Sequence, residues 1–280
     1  MSKEEATFED VALATRHGKE AAIAAHLRQV GLLITVPPDF PSDDFGTFSG
    51  ERERPGSQFE TAVAKARKAI ELTGLQKAVA SEGAYGPHPV IPFVPLGREL
   101  VVLLDAATET VVEGWWSGTK TNFRSGWVSS LGEAEEFAQR LGFPEHGLIV
   151  RSGPEEFEFL EKGIVTHQVF QESVEFLLGR QQRAFIEADM RAMVNPTRMS
   201  AIEQATRDLV TSLKSFCPAC QSPGFRVREV VRGLPCSLCD YPTEGIKEEV
   251  FVCRVCQHRE CRKMANRESA DPCYCPVCNP

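Results

Sequence analysis

Ten cysteines, all between Cys217 and Cys278, constrain this 280-residue chain more than any other feature. Eight of them stand as four C-x-x-C pairs: Cys217/Cys220, Cys236/Cys239, Cys253/Cys256 and Cys275/Cys278. Fifteen residues separate the first two pairs and eighteen the last two, and both gaps suit two knuckles closing on one zinc ion. Each knuckle turns two thiolates toward one point, and four thiolates complete a tetrahedron with no open position for water. The spacing therefore predicts two structural zinc ions, one for each consecutive pair of knuckles, in two successive zinc ribbons. A cross-braced pairing, first knuckle with third and second with fourth, fits the same spacing. Cys261, Cys273 and His258 are further potential ligands around the second site. Strands are expected in FRVREVVRGLP before Cys236 and in EEVFV before Cys253.

The rest of the chain has no cysteine, and its composition is that of a folded protein. Hydrophobic residues make up 42% and charged residues 25%, which excludes a disordered or fibrous chain. No apolar run approaches the ~20 residues of a membrane helix. The start, MSKEEATFED, has neither a basic segment nor an apolar core, so no secretory signal is read there and a cytoplasmic location is expected. Residues 1–179 hold 16 basic against 27 acidic side chains, and residues 217–280 hold 9 against 8. An acidic body and a balanced cysteine segment, with no basic stripe, disfavour nucleic acid and anionic membrane as partners.

Strands and helices alternate through the body, which predicts an α/β layer architecture with a mixed sheet over residues 1–216, followed by the zinc module over 217–280. Strands are expected at 8–14, 32–36, 77–80, 96–104, 110–115 and 183–189, with a short buried one in HGLIV. Helices are expected after ATRHGKE, over 59–72 and over 132–141. Residues 37–57, rich in Pro, Gly, Ser and acid, read as a long functional or mobile loop. SEGAYGPHP reads as a turn. A last helix, capped by Asn195 with Pro196 in its first turn, carries the stripe Met199, Ile202, Thr206, Leu209, Leu213 and Phe216. That helix is expected to dock the cysteine module on the body.

Phosphate-binding loops, dinucleotide fingerprints, nucleophile elbows and H-E-x-x-H are absent. The chemistry that remains is a polar set on turns. Arg16, His17 and Lys19 lie where a strand passes into a helix N-terminus, a place suited to anions. Glu51 and Glu82 sit on loops and offer carboxylate oxygens to a divalent cation. Each could equally be a solvated surface charge.

Together these positions resemble the inosine triphosphate pyrophosphatase superfamily. ATRHGKE is similar to its triphosphate-gripping turn, GSQFETAVAKARKAIELTG to its glutamate loop and following helix, ASEG to its acidic turn, and NPTRMSAI to its last turn. The sequence departs from that pattern at His17 and lacks the histidine beside Arg198. The resemblance implies a magnesium-dependent phosphohydrolase acting on a nucleotide-like substrate. Lys19, Arg16, His17 and Arg198 would bind phosphate, and Glu51, Glu82 and Lys19 would be catalytic. The segments ADMRAMVNPTRM, CPACQSPGF, GLPCSLCDYPT and YCPVCNP resemble a bacterial family known as domain of unknown function 6671, which brings no activity with it; Asp189, Arg191, Asn195 and Arg198 fall in its polar motif. The alternative to an enzyme is a non-catalytic adaptor whose zinc ribbons dock a protein or nucleic-acid partner.

Overall fold

The computed structural model describes residues 8–16, 18–264 and 267–280. It divides into two compact units, Met1–Val210 and Thr211–Pro280.

The first unit holds two sheets. One is mixed, with β1 (Glu9–Ala14), β2 (Leu32–Thr35), β3 (Lys77–Pro87), β4 (Pro95–Asp105) and β5 (Thr110–Gly118) in the order β2-β1-β3-β4-β5. The chain leaves β1 through helix α1 (Glu20–Leu27) to the parallel β2, then crosses back through α2 (Gln58–Thr73) to β3, parallel on the other side of β1. Right-handed connections in opposite directions put α1 and α2 on opposite faces. Helix α2 starts at a capping box between Ser57 and Glu60. Its Ala62, Ala66 and Ala69 close on Ala12, Ala14, Ala78, Ala80, Leu100, Val102 and Leu104. These small helix side chains let helix and sheet approach closely. The last helix, α5 (Pro196–Leu213), lies against the other face. A Cβ on Gly114 of β5 would fall 2.2 Å from the Ala205 carbonyl oxygen, so only glycine admits the helix there.

The second sheet, β6 (Ser125–Val128), β7 (Leu148–Gly153), β8 (Glu156–Ile164) and β9 (Ala184–Ala188), runs β6-β9-β7-β8 and is antiparallel throughout. Helices α3 (Leu131–Leu141) and α4 (His167–Gln181) bury Phe137, Leu141, Phe170, Val174 and Leu177 on it.

Three expectations are corrected. SEGAYGPHP is not a turn at its start: β3 runs on to Pro87, because β4 supplies a partner along its full length. Strand β8 and helix α4 fall where no element was expected. The α5 stripe consists of Ala201, Ile202, Ala205, Thr206, Leu209 and Val210, while Phe216 lies beyond the helix and is 56% exposed.

The second unit is built on one antiparallel sheet of β10 (Arg226–Arg232), β11 (Ile246–Val252) and β12 (Arg259–Lys263). Among the described residues, no helix of the chain is long and apolar enough to cross a membrane.

Candidate functional site

Each unit carries a candidate site. In the second, Cys217, Cys220, Cys253 and Cys256 form one group, and Cys236, Cys239, Cys275 and Cys278 another. The Sγ atoms of Cys217 and Cys256 are 3.7 Å apart, those of Cys220 and Cys253 3.6 Å, and those of Cys239 and Cys275 3.6 Å. A tetrahedron with Zn–S near ~2.3 Å has edges of about 3.8 Å, so both groups could hold zinc. All four knuckles share one turn: the amide after the second cysteine donates to the carbonyl of the first, as in Gln221 N to Cys217 O at 2.9 Å and Asn279 N to Cys275 O at 2.8 Å.

The pairing is cross-braced, and the expected succession of two self-contained ribbons is corrected. The cause is strand register. Arg226, just after the first knuckle, pairs with Val252, just before the third, so those two knuckles meet at one end of the sheet. The second knuckle lies past the other end of β10, where a bridge between Cys236 and Ala270 brings in the fourth. Cys261 on β12 and the exposed Cys273 belong to neither group. The His258 ring packs on Phe225 instead of turning to a metal.

The site in the first unit arises from the sheet order. Strand β1 ends at Ala14, paired with Ala80, whereas β3 continues through Ser81, Glu82 and Gly83 with β4 on one side only. Where neighbouring connections leave one strand to opposite faces, a crevice opens beyond its carboxyl end. A cavity of about 340 Å³ occupies this place. Lys19 follows β1, Lys65 comes from α2, Glu82 from β3 and Arg198 from α5, and the 42–54 segment forms one wall. Side chains from both sheet faces reach one cavity by passing the open edge of β3.

Its electrostatics are unusual for an acidic unit. Seven cationic side chains line it (Lys19, Arg52, Arg54, Lys65, Lys162, Arg191 and Arg198) with Asp43, Glu51 and Glu82, and Asp44, Asp189 and Glu99, outside the lining, pair with Arg52, Arg191 and Arg198. Glu82 accepts from Lys65 at 2.6 Å on one oxygen and forms an ion pair with Arg54 at 2.8 Å on the other, while Arg54 donates to the Gly83 carbonyl at 2.6 Å. Arg198 is buried, donates through Nε to Glu99 Oε1 at 2.7 Å, and stacks 4.0 Å from the Phe48 ring centre. The Tyr85 hydroxyl donates to the same Glu99 oxygen at 2.8 Å. Burial, and next the Glu99 charge, push that phenol well above its usual range. This cluster needs glycine at position 83, where a Cβ would lie 2.4 Å from Glu99 Oε1. Lys19 is buried, and its described partner is a neutral one, Ser81 Oγ at 2.9 Å. Burial above all, then Arg198 and Lys65, draws its ammonium down to about 7.

Of the residues singled out from the sequence, Lys19, Glu51, Glu82 and Arg198 line this one cavity. Arg16 is exposed and absent from the lining, and His17 lies outside the described residues. Glu51 is held by Ser49 at 2.6 Å and Lys162 at 2.5 Å, and these bonds, the Lys162 one first, lower its carboxyl below the usual range. As they stand, the two carboxylates do not fit a resident magnesium ion, since both face cations and Glu82 has neither oxygen open. Asp189 pairs with Arg191 at 2.6 Å, and Asn195 caps α5 by accepting from the Arg198 amide at 2.9 Å.

The residues missed were Arg54, Lys65, Tyr85 and Glu99. Two of them carried a signal: Lys65 sits in the alanine stripe of α2, and Glu99 opens the apolar run of β4. A charge at an inward position needs a buried partner.

No curated protein and no solved structure matches this chain. Neither comparison supports the expected resemblance to inosine triphosphate pyrophosphatases. A family model described as a domain of unknown function (DUF6671) matches residues 65–280. That span takes in Lys65, Glu82, Glu99, Arg198 and all eight knuckle cysteines, and it covers well over half of the chain. The protein belongs to the DUF6671 family.

Proposed function

We propose that the first unit takes a phosphate-bearing, nucleotide-like small molecule into the cavity beyond β1 and hydrolyses a phosphoester there. The observation that carries this reading is the concentration of seven cationic side chains in one crevice of an otherwise acidic unit. In water such a cluster would disperse; held by the fold, it focuses field on an anion. Lys19, Lys65 and Arg198 would face the phosphate, with Phe48 at the wall beside it. Glu51 stands at the rim, and its Oε2 alone is taken by Ser49 and Lys162. Its other oxygen would orient the attacking water. Glu82 would position Lys65 and Arg54.

Phosphate release from a panel of nucleoside mono-, di- and triphosphates, with and without divalent cations, tests this. The wild-type protein should turn over at least one member. Glu51→Gln should still bind that member, with turnover lowered about 10²–10⁴-fold, as for loss of a general base. A panel that neither binds nor reacts would remove the reading.

A second reading concerns the second unit, where Leu238, Tyr274 and Val277 stand 75%, 78% and 57% exposed on and beside the knuckles of one four-cysteine group. Apolar tips on a metal-braced turn suit protein docking. A Leu238→Ser/Val277→Ser variant should lose a partner that the wild type retains in quantitative crosslinking; equal retention would count against docking.

A further inference from the structure

The charges around Lys19 do not cancel. Arg54 and Lys65 share Glu82, and Arg198 holds Glu99. Three cations therefore face two carboxylates before Lys19 is counted. Lys19 is 8% exposed at the inner end of the cavity, and no carboxylate lies within ion-pair distance among the described residues. Its neighbours from α2 and α5, Lys65 and Arg198, are of like charge, and Glu82 and Glu99 from β3 and β4 are already shared with other cations. With Lys19 charged, the cluster has two uncompensated positive charges, and with Lys19 neutral it has one. Glu82 and Glu99 are the carboxylates that act on Lys19, and both are already shared, so an anion arriving in the cavity would meet this excess charge.

Resting on the phosphate-binding reading above, we infer that the inner end of the cavity takes a tetrahedral dianion, such as a terminal phosphoryl group, and that binding is accompanied by uptake of one proton onto Lys19. Burial, and then Arg198 and Lys65, draw its ammonium down to about 7, so the free protein at pH 8 is expected to hold Lys19 largely neutral. A dianion placed against it reverses the balance, favours the charged form and raises that value. The linkage has a definite sign. Below pH 7 the ammonium is present before the ligand arrives, and affinity is flat on its account. Above pH 7 a proton must be taken up, and affinity falls by up to about tenfold per pH unit until the raised value in the complex is reached. A singly charged anion would leave the cluster with one positive charge and bind less well.

Sulfate is the suitable probe, because it stays a dianion across this range and any proton taken up must go to the protein. Calorimetric titration of sulfate into the intact protein at pH 8, in buffers of different ionisation enthalpy, should show uptake of close to one proton per sulfate. At pH 6 the uptake should be close to zero. Lys19→Arg, always charged, should keep sulfate binding and lose both the uptake and the pH dependence; Lys19→Met should weaken binding and also show no uptake. Sulfate binding to the wild type at pH 8 without proton uptake would overturn the inference and leave the anion site standing. Uptake that persists in Lys19→Arg would also overturn it. Failure of sulfate, phosphate and pyrophosphate all to bind would overturn the phosphate-binding reading, and this inference with it.

Discussion

Replacing Cys217 with serine is expected to abolish zinc binding at both four-cysteine groups, although Cys217 belongs to only one of them. The interleaved pairing is the reason. The first group ties the knuckle before β10 to the knuckle after β11, and so holds the strand register from Arg226↔Val252 to Arg232↔Ile246. The second group depends on that register, because its two knuckles meet past the other end of β10 and beside the Cys236–Ala270 bridge. The unit has a small core: Cys217, Phe225 and Cys253 cluster with Phe251 against them, and Leu234, Val250 and Val252 are buried besides. Structural zinc contributes on the order of 10–16 kcal/mol in small finger peptides, far more than such a core supplies. Elemental analysis and native mass spectrometry should find two zinc ions in the reduced wild type and almost none in the variant. One zinc retained at full stoichiometry would show that the two groups fold independently, against the cross-brace.

Arg198→Met should destabilise the first unit by about 3–5 kcal/mol, the usual consequence of removing one partner of a buried ion pair. The Arg198 and Glu99 side chains are 3% and 0% exposed. Arg198 also donates to the Met190 carbonyl and stacks on Phe48. Methionine keeps most of the volume and supplies no donor. Glu99 would be left with the Tyr85 hydroxyl as its described partner, and its Oε2 already has none. Urea unfolding of wild type, Arg198→Met, Glu99→Gln and the double variant would measure this. The double variant should recover part of the loss, because the uncompensated charge goes with Glu99. A loss below about 1 kcal/mol in Arg198→Met would mean that the pair is far better solvated than its burial indicates.

The two sites differ in how far the sequence discloses them. A C-x-x-C knuckle is local: four residues and one turn define it, so all eight ligands can be named from spacing. Their partition between two groups is not local. Gaps of fifteen and eighteen residues admit either pairing, and the register of β10 on β11 decides between them. Among the cavity residues, Lys19, Glu51, Glu82 and Arg198 could be picked out because each lies on a motif. Arg54 and Tyr85 could not, since nothing near them in sequence distinguishes a cavity arginine from a solvated one, or a buried phenol from an exposed one. Lys65 and Glu99 stood out only as charges on faces that periodicity assigns to the core.

By itself the sequence determined the strands and helices of the mixed sheet, the cap of α5, the knuckle cysteines and the absence of cysteine from the body, because each follows from neighbours within a turn or two, whereas β8 and α4 of the second sheet were not legible. Only the tertiary structure decided that β3 runs on to Pro87 where its pairing with β1 stops at Ala80, that side chains from both sheet faces meet at the resulting open edge, and that Lys19 is buried there among like charges. Burial and charge balance are sums over residues as far apart in the chain as Lys19 and Arg198, and no local pattern contains them.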